Sequence, residues 1–207
     1  VRRGFYIISD EIYSKLLYDG EHIAVPSLSK AIYDQTILVN GFSKAYAMTG
    51  WRLGYAAGPA DVIAAMDAYQ SHATGNPNSI AQWAGLAALE GDQTCVREMA
   101  RAFEHRRNLI VSCIRRMPGV RCCAPRGAFY VLLDVRKLIG TVYDGVLIAD
   151  SGVFAELLLK DAQVAVVPGE PFGAPGYCRL SYATDEERIM EAMRRIAYFA
   201  TKVCAAA

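Results

Sequence analysis

The sequence predicts an α/β fold, and three observations support that prediction. The chain has 207 residues, 53% of them hydrophobic, so it is long and apolar enough to bury a core. From residue 1 to about residue 117, short apolar runs alternate with segments of helical periodicity, which is typical of a mainly parallel sheet wrapped by helices. After Pro118-Gly119 the pattern changes to hairpin-like strands and a final helix, which predicts a smaller α+β domain over residues 118–207.

The first domain, residues 1–117, contains three apolar runs that predict strands. The first run ends a buried strand at Asp10, and the others cover residues 36–39 and 53–57. Three helices follow, at residues 61–71, 79–89 and 96–114. Trp83 is expected to pack within a helix face. The arginines of the third helix predict a solvated stripe: Arg97, Arg101, Arg106, Arg107 and Arg115.

The second domain has its own strands and a closing helix. The strands are predicted at residues 127–135, 163–167 and 177–182. The last helix is predicted to begin at Thr184, because Thr184-Asp185-Glu186-Glu187 has the form of a capping box. Its core face is made of apolar residues at helical spacing: Ile189, Met193, Ile196 and Phe199.

Composition excludes several classes of function. A net charge of +1 and the lack of a long basic run argue against nucleic acid or an anionic membrane as partner. The sequence contains no apolar stretch of about 18 residues, so no membrane span is predicted. The six cysteines lack zinc-site spacing and are read as reduced, buried thiols of a cytoplasmic protein, and no metal is predicted. The three histidines match no catalytic arrangement, which leaves a small molecule as the expected partner.

The stretch from Asn40 to Gly54 fixes a serine, a lysine and an arginine around a glycine-bracketed turn. An apolar run leads into the turn, so Lys44 is predicted on a loop at a strand end. The run that ends at Asp10 adds a carboxylate, and Tyr13 adds a phenol three residues later. An amine, an acid, a phenol and a cation are the groups that pyridoxal phosphate needs from a protein.

Seven motifs together carry a resemblance to a known family. They are Ser9-Asp10-Glu11-Ile12-Tyr13, Ser43-Lys44, Gly50-Trp51-Arg52-Leu53-Gly54, Asn76-Pro77 with Ser79-Ile80-Ala81-Gln82, Gly127-Ala128-Phe129-Tyr130, Val167-Pro168-Gly169 with Phe172-Gly173, and Arg179-Leu180-Ser181-Tyr182-Ala183. In this order they resemble the class I aminotransferases among the fold-type I pyridoxal phosphate enzymes, most closely the bacterial aspartate and aromatic branch. The resemblance covers nearly the whole chain. It implies the C-terminal part of the family's large domain, followed by its small C-terminal domain.

The resemblance implies roles for the residues of the turn and the first strand. Lys44 would be the catalytic residue, holding the cofactor aldehyde as a Schiff base and moving a proton during the reaction. Asp10 would pair with the pyridine nitrogen, and Tyr13 would donate to the ring oxygen. Ser43 and Arg52 would hold the phosphate, with Gly50 and Gly54 letting the backbone come close.

Arg179 would bind the substrate α-carboxylate, the group that every amino acid shares. Each assignment has a structural alternative. Lys44 could be a surface lysine, Asp10 a helix cap, and Tyr13 a packed core tyrosine. Arg179 could be an edge-strand arginine in a surface salt bridge.

The function implied is the transfer of an amino group from an L-amino acid to a 2-oxo acid, with aspartate and 2-oxoglutarate as first choice. The Asn76-Pro77 loop implies a homodimer, because it resembles a loop that reaches the neighbouring subunit's site. Two alternatives stay open. The same cofactor supports elimination or decarboxylation, and an aminotransferase-like domain can belong to a non-catalytic transcription regulator.

The chain begins Val1-Arg2-Arg3 and runs directly into a core strand, which predicts a fragment of a longer protein. The resemblance implies that the preceding part holds a glycine-rich phosphate loop and an aromatic side chain that stacks on the cofactor ring. The isolated 207-residue chain is therefore expected to bind pyridoxal phosphate poorly and to be inactive.

Overall fold

A computed structural model describes residues 3–206; Val1, Arg2 and Ala207, including the chain start that predicts a fragment, lie outside the described residues. The chain forms two compact units that divide between Arg101 and Ala102. This division falls inside one long helix, whereas the sequence places the domain boundary after residue 117. That boundary stays a prediction, because the helix contributes residues to both units.

The first unit is built on a three-stranded sheet with the strand order β1-β2-β3. The strands are β1 (Ile7–Asp10), β2 (Thr36–Gly41) and β3 (Gly54–Ala57). β1 and β2 are parallel, as predicted, whereas β3 returns antiparallel to β2. The crossover between the parallel strands contains a short helix, α1 (Lys30–Tyr33), whose N-cap Ser29 accepts a hydrogen bond from the Ile32 backbone N–H.

Two of the predicted helices of this unit are confirmed with small shifts at their ends. They are α2 (Ala60–Ala73) and α3 (Ser79–Glu90). α3 begins where it does because the Asn78 side chain accepts hydrogen bonds from the backbone N–H groups of Ile80 and Ala81.

The first unit exposes large apolar side chains that the sequence predicts to be buried. Ile8 on β1 is 73% exposed and Trp83 on α3 is 71% exposed, so the predictions of a buried first strand and a packed Trp83 are wrong for residues 3–206. The reason is that no other described residue packs over these side chains. Tyr69 on α2 and Ile80 on α3 are exposed in the same way.

The second unit contains a three-stranded antiparallel sheet with the order β4-β8-β7 and a small hairpin. Its elements, together with the shared helix, are α4 (Thr94–Ile114), β4 (Tyr130–Asp134), β5 (Val142–Tyr143), β6 (Val146–Leu147), α5 (Ser151–Ala162), β7 (Val167–Pro168), β8 (Tyr177–Ser181) and α6 (Glu186–Ala206). The strand predicted over 163–167 is much shorter. Gln163 adopts a left-handed conformation and closes α5 through its N–H to the Leu159 carbonyl, so the strand cannot start there.

Helix α6 packs its predicted apolar face into the core of this unit. Ile189, Met193, Ile196 and Phe199 are all buried, which confirms the helical spacing. The start of the helix differs from the prediction, because the Asp185 side chain accepts the hydrogen bond from the Arg188 N–H and α6 begins at Glu186.

Two expectations about charge and cysteines need correction. Arg107 in α4 is only 6% exposed and donates to the Pro125 carbonyl at 2.7 Å, so it does not belong to a solvated stripe. Cys95 and Cys123 are exposed rather than buried, although all six cysteines are unbridged in the part of the chain described. Within residues 3–206, none of the helices combines the length and the apolar character needed to cross a bilayer.

Candidate active site

The sheet of the first unit brings the predicted site residues of the N-terminal half to one edge. β1 and β2 run in the same direction, so Asp10 and the loop after Gly41 lie at the same end of the sheet. β3 is antiparallel and begins at Gly54, so the loop returns to this edge. Ligands of open α/β sheets bind outside the carboxyl ends of parallel strands, and this edge has that position.

Asp10 is the last residue of β1, and the ladder continues past it through the Glu11 N–H, which donates to the Val39 carbonyl at 2.8 Å. The Asp10 side chain is exposed, and its Oδ1 accepts a hydrogen bond from the Ile12 N–H at 3.1 Å. This contact restrains the Asp10 side chain. Asp10 ends a strand and its Oδ1 caps the turn that follows, so its role towards the cofactor stays a prediction.

A buried cluster beneath the loop holds Lys44 in place. Phe42, Met48 and Leu53 are buried and pack against Ala81 of α3. The loop also closes on itself, because the Phe42 N–H donates to the Leu53 carbonyl at 3.3 Å and the Phe42 carbonyl accepts from the Tyr46 N–H at 3.2 Å. Ser43 and Lys44 are half-buried above this base. The amine is therefore carried on a backbone that packing keeps rigid.

Arg52 has an unusual backbone conformation. Its φ of 53° and ψ of 46° are left-handed, a conformation that costs a non-glycine residue free energy. Its guanidinium is exposed, and Nη1 donates to the Thr49 carbonyl at 3.1 Å. Arg52 also borders an open pocket of about 530 Å³, whose other lining residues are Ala47, Gly50, Trp51, Asn78, Ile80 and Ala81.

Tyr13 follows β1 in a tight turn. The Ser14 N–H donates to the Glu11 carbonyl, and the Leu16 N–H donates to the Tyr13 carbonyl, both at 2.9 Å. Leu16 is fully buried, whereas the Tyr13 side chain is half-buried. The phenol is thus held within the turn that directly follows Asp10, instead of being sealed in a core.

Arg179 lies in the second unit, at the centre of the β4-β8-β7 sheet. It pairs with Leu132 of β4 on one side and with Val167 of β7 on the other. Its guanidinium carbon lies 4.5 Å from the ring centre of Tyr130 and 4.3 Å from that of Phe172. Arg179 is therefore not on an edge strand, and among the described residues it forms no salt bridge. The guanidinium therefore lies within cation–π distance of two aromatic rings.

The family profile described as "Aminotransferase class I and II" matches residues 1–196. The chain belongs to this family. It is 46% identical to the aspartate aminotransferase of Geobacillus stearothermophilus, over 95% of this chain and 49% of that protein. It is also 46% identical to the aspartate/prephenate aminotransferase of Cereibacter sphaeroides, over 94% of this chain and 49% of that protein.

A solved structure gives the same result for the fold. The crystal structure of the aspartate aminotransferase from Rhizobium meliloti superposes with a TM-score of 0.92 at 41% identity, over 95% of this chain and 50% of that one. The fold is therefore that of the fold-type I aminotransferases, as the sequence predicts. The chain spans about half the length of the curated relatives it matches.

Aminotransferases of this family depend on pyridoxal phosphate, and the described residues fit that cofactor. The fit is tested by the chemical groups that the sheet edge presents. A half-buried amine, an exposed carboxylate and a guanidinium belong to residues that lie where β1 and β2 end or β3 begins. These are the groups that an aldehyde, a pyridinium nitrogen and a phosphate require.

The close approach of the backbone at the site depends on Gly41 and Gly54. A Cβ atom added to Gly41 would lie 2.9 Å from the Gly54 Cα and 3.0 Å from the Leu53 carbonyl oxygen. At Gly50, by contrast, no atom lies within 4 Å of such a Cβ. The close approach of backbone to backbone at this site is therefore between Gly41 and Gly54, whereas the role of Gly50 beside the phosphate stays a prediction.

We expect Gly41→Ala to destabilise the protein by about 1–3 kcal/mol, because its methyl group would push apart the two strands that frame the Lys44 loop. Gly50→Ala is the matched control and should change the free energy of unfolding by less than about 1 kcal/mol. Urea unfolding of both variants measures the difference. Equal stability of the two variants would contradict the close approach at Gly41.

Sequence reasoning missed one residue of the site region, Glu11. It is only 7% exposed and its carboxylate accepts three hydrogen bonds. His22 Nε2 lies 2.7 Å from Oε2, while the Val25 N–H and the Ser9 hydroxyl donate to Oε1 at 2.9 and 3.1 Å. The signal that could have found it is a carboxylate inside an apolar strand end, since such a group needs partners.

The ionisation of Glu11 makes stability depend on pH. Burial raises the pKa of Glu11, but the hydrogen bonds from His22, Val25 and Ser9 outweigh burial and lower the pKa below its usual 4.5. A depressed pKa contributes stability that is fully present above pH 4.5 and is lost as the pH falls through the folded-state value.

We therefore expect Glu11→Gln to flatten the acid side of the stability profile. The free energy of unfolding of the wild type should fall more steeply than that of Glu11→Gln between about pH 5 and pH 3. Urea unfolding midpoints across this range provide the measurement. Parallel profiles for the two proteins would show that Glu11 is not a stabilising carboxylate.

Proposed function

We propose that the protein containing this chain transfers an amino group from an L-amino acid to a 2-oxo acid with pyridoxal phosphate. The observation that carries the proposal is the position of Asp10, Lys44 and Arg52 at the sheet edge where β1 and β2 end and β3 begins. Family membership supports the reaction class. The names of relatives from several bacteria make aspartate the first choice of amino donor. We propose 2-oxoglutarate as the acceptor.

When bound, pyridoxal phosphate supplies an aldehyde for the Lys44 amine and an electron-withdrawing ring. The Asp10 carboxylate would keep the pyridine nitrogen protonated. Tyr13 would donate its phenolic proton to the ring oxygen. Asp10 ends β1 and Tyr13 lies three residues later, so the end of this strand sets the position of both contacts.

Ser43 and Arg52 hold the phosphate. The guanidinium gives two parallel charge-assisted hydrogen bonds, which are stronger than the single hydroxyl bond from Ser43. The backbone of Arg52 is left-handed, and Arg52 lines a pocket together with Trp51 and Asn78. Strain of this kind persists where the surroundings enforce it, and here the buried Leu53 next to Arg52 does so.

Lys44 would have a second task when substrate is bound. Its Nζ would move a proton between the substrate α-carbon and the adjacent cofactor carbon. The rigid loop supports this task, because proton transfer needs the amine to stay within hydrogen-bond reach of both carbons.

Arg179 binds the substrate α-carboxylate. The rings of Tyr130 and Phe172 hold the guanidinium plane, and its outer N–H groups then match the two carboxylate oxygens. Every amino acid and every 2-oxo acid carries this carboxylate. One arginine can therefore bind both substrates of the reaction in turn.

We also propose that the protein is a cytoplasmic homodimer. The exposed apolar side chains of α2 and α3, including Tyr69, Ile80 and Trp83, support a subunit contact, because exposed apolar surface of this kind marks interfaces. The Asn76-Pro77 loop lies between these two helices and would reach the neighbouring subunit.

An absorbance titration of the full-length protein tests the proposed function. Addition of pyridoxal phosphate should produce the band of the lysine-bound cofactor, aspartate should shift it, and 2-oxoglutarate should restore it. A band that aspartate leaves unchanged and another amino acid shifts would overturn the choice of substrate. A band that no amino acid shifts reversibly would overturn transamination in favour of another pyridoxal phosphate reaction or a non-catalytic domain.

A further inference from the structure

The carboxylate of Glu11 is buried and hydrogen-bonded, and none of the roles above uses it. Its side chain is 5% exposed. Oε1 accepts from the Ser9 hydroxyl and the Val25 N–H, and Oε2 lies 2.7 Å from His22 Nε2. An ionised carboxylate only accepts hydrogen bonds, so the His22 nitrogen that faces it carries the proton.

The partners of Glu11 come from both ends of one loop. Ser9 belongs to β1, whereas His22 and Val25 lie at the far end of the loop that leaves β1 at residue 11. Removing a carboxylate from water costs free energy unless it is fully hydrogen-bonded. The loop is therefore most stable when all three donors are in place. Glu11 therefore closes residues 11–25 into a fixed segment.

Two cofactor contacts proposed above depend on this segment. Asp10 immediately precedes Glu11, and its rotamer is held by the Ile12 N–H, which immediately follows Glu11. Tyr13 lies in the turn formed by the Ser14 N–H and the Glu11 carbonyl. A second fastening holds the same turn, because the Asn40 side chain donates to the Ser14 hydroxyl at 3.3 Å.

We infer that Glu11 and His22 form a positioning pair that holds Asp10 and Tyr13 against the cofactor from outside the site. The inference rests on the proposed function, since Asp10 and Tyr13 matter only if they contact pyridoxal phosphate. His22 is the residue of the pair chosen for mutation, because its side chain is 32% exposed and can be replaced without leaving a cavity in a core. Neither residue touches the cofactor itself.

The test compares two His22 variants of the full-length protein. His22→Gln keeps an N–H donor at about the position of Nε2, whereas His22→Leu keeps the bulk and loses the donor. We expect His22→Leu to weaken pyridoxal phosphate binding about tenfold, because part of the binding free energy is then used to order the loop. His22→Gln should restore near-wild-type affinity.

Two further readouts separate positioning from a general loss of stability. A weakened Tyr13 contact withdraws less charge from the ring oxygen, so the pH at which the lysine-bound chromophore changes colour should rise by about one unit in His22→Leu. Amide hydrogen exchange of the cofactor-free protein should accelerate over residues 11–25 in His22→Leu and not over α3.

Each outcome separates the inference from the function it rests on. If the wild type forms the chromophore and His22→Leu matches it in affinity and colour change, the positioning pair is wrong while the proposed function stands. Equal losses in His22→Leu and His22→Gln would likewise overturn it, because the donor would then not matter. If the wild type forms no chromophore, the proposed function is wrong and the inference falls with it.

Discussion

Lys44→Ala should abolish the absorbance band of the bound cofactor and lower turnover by about 10⁴-fold, because one substitution removes both the amine that binds the aldehyde and the base that moves the proton. The loop itself should survive the change. Its fold depends on the buried Phe42, Met48 and Leu53, and the Lys44 side chain is only half-buried above them. Absorbance and steady-state rates of the full-length protein give the measurement.

Lys30→Ala is the matched control for this experiment. Lys30 lies on α1, is 80% exposed and pairs with Asp34 four residues later, so it has no part in the site. Its removal should leave both band and turnover unchanged. Retention of the band in Lys44→Ala would show that a different lysine binds the cofactor and would remove the basis of the proposed site.

Arg179→Ala should raise KM for both the amino acid and the 2-oxo acid by about 10- to 100-fold, because a charge-assisted bidentate contact to the shared carboxylate is lost. The cofactor band should remain, since Arg179 belongs to the second unit and has no part in the proposed cofactor contacts. The expected signature is a change in substrate binding with an intact chromophore. Steady-state kinetics with both substrates, together with an absorbance spectrum, measure it.

The control for Arg179 is Arg136→Ala. Arg136 is also a stacked arginine of the second unit, with its guanidinium 4.9 Å from the Tyr177 ring centre, but Asp134 already neutralises it at 2.7 Å. It should therefore leave KM unchanged. An unaltered KM in Arg179→Ala would exclude Arg179 as the carboxylate-binding residue.

The sequence predicts the elements of this fold well where a residue's role is set by neighbours along the chain. The face of α6 follows from helical spacing alone, and all four predicted core residues are buried. Lys44 is found on a strand-end loop for a similar reason, because the apolar run before it is short and β-branched. Local patterns carry the information in both cases.

Errors in the predictions arise where partners are distant in sequence. Glu11 depends on His22, eleven residues away, and on Val25, fourteen residues away, so no local pattern marks it as partnered. Helical spacing predicts that Arg107 faces solvent, yet its guanidinium donates to the Pro125 carbonyl, eighteen residues later. The close approach at Gly41 is likewise invisible in the local sequence, because strand register decides that Gly41 faces Gly54.

The central claim is that Lys44 is the residue that binds the cofactor, and chemical fixation tests it most directly. Borohydride reduction of the full-length protein with bound pyridoxal phosphate converts the C=N link into a stable amine, which mass spectrometry can place after tryptic digestion. We expect the added mass on a peptide spanning residues 31–52, with cleavage blocked at Lys44. The added mass on another lysine, or on none, would contradict the site described for this protein.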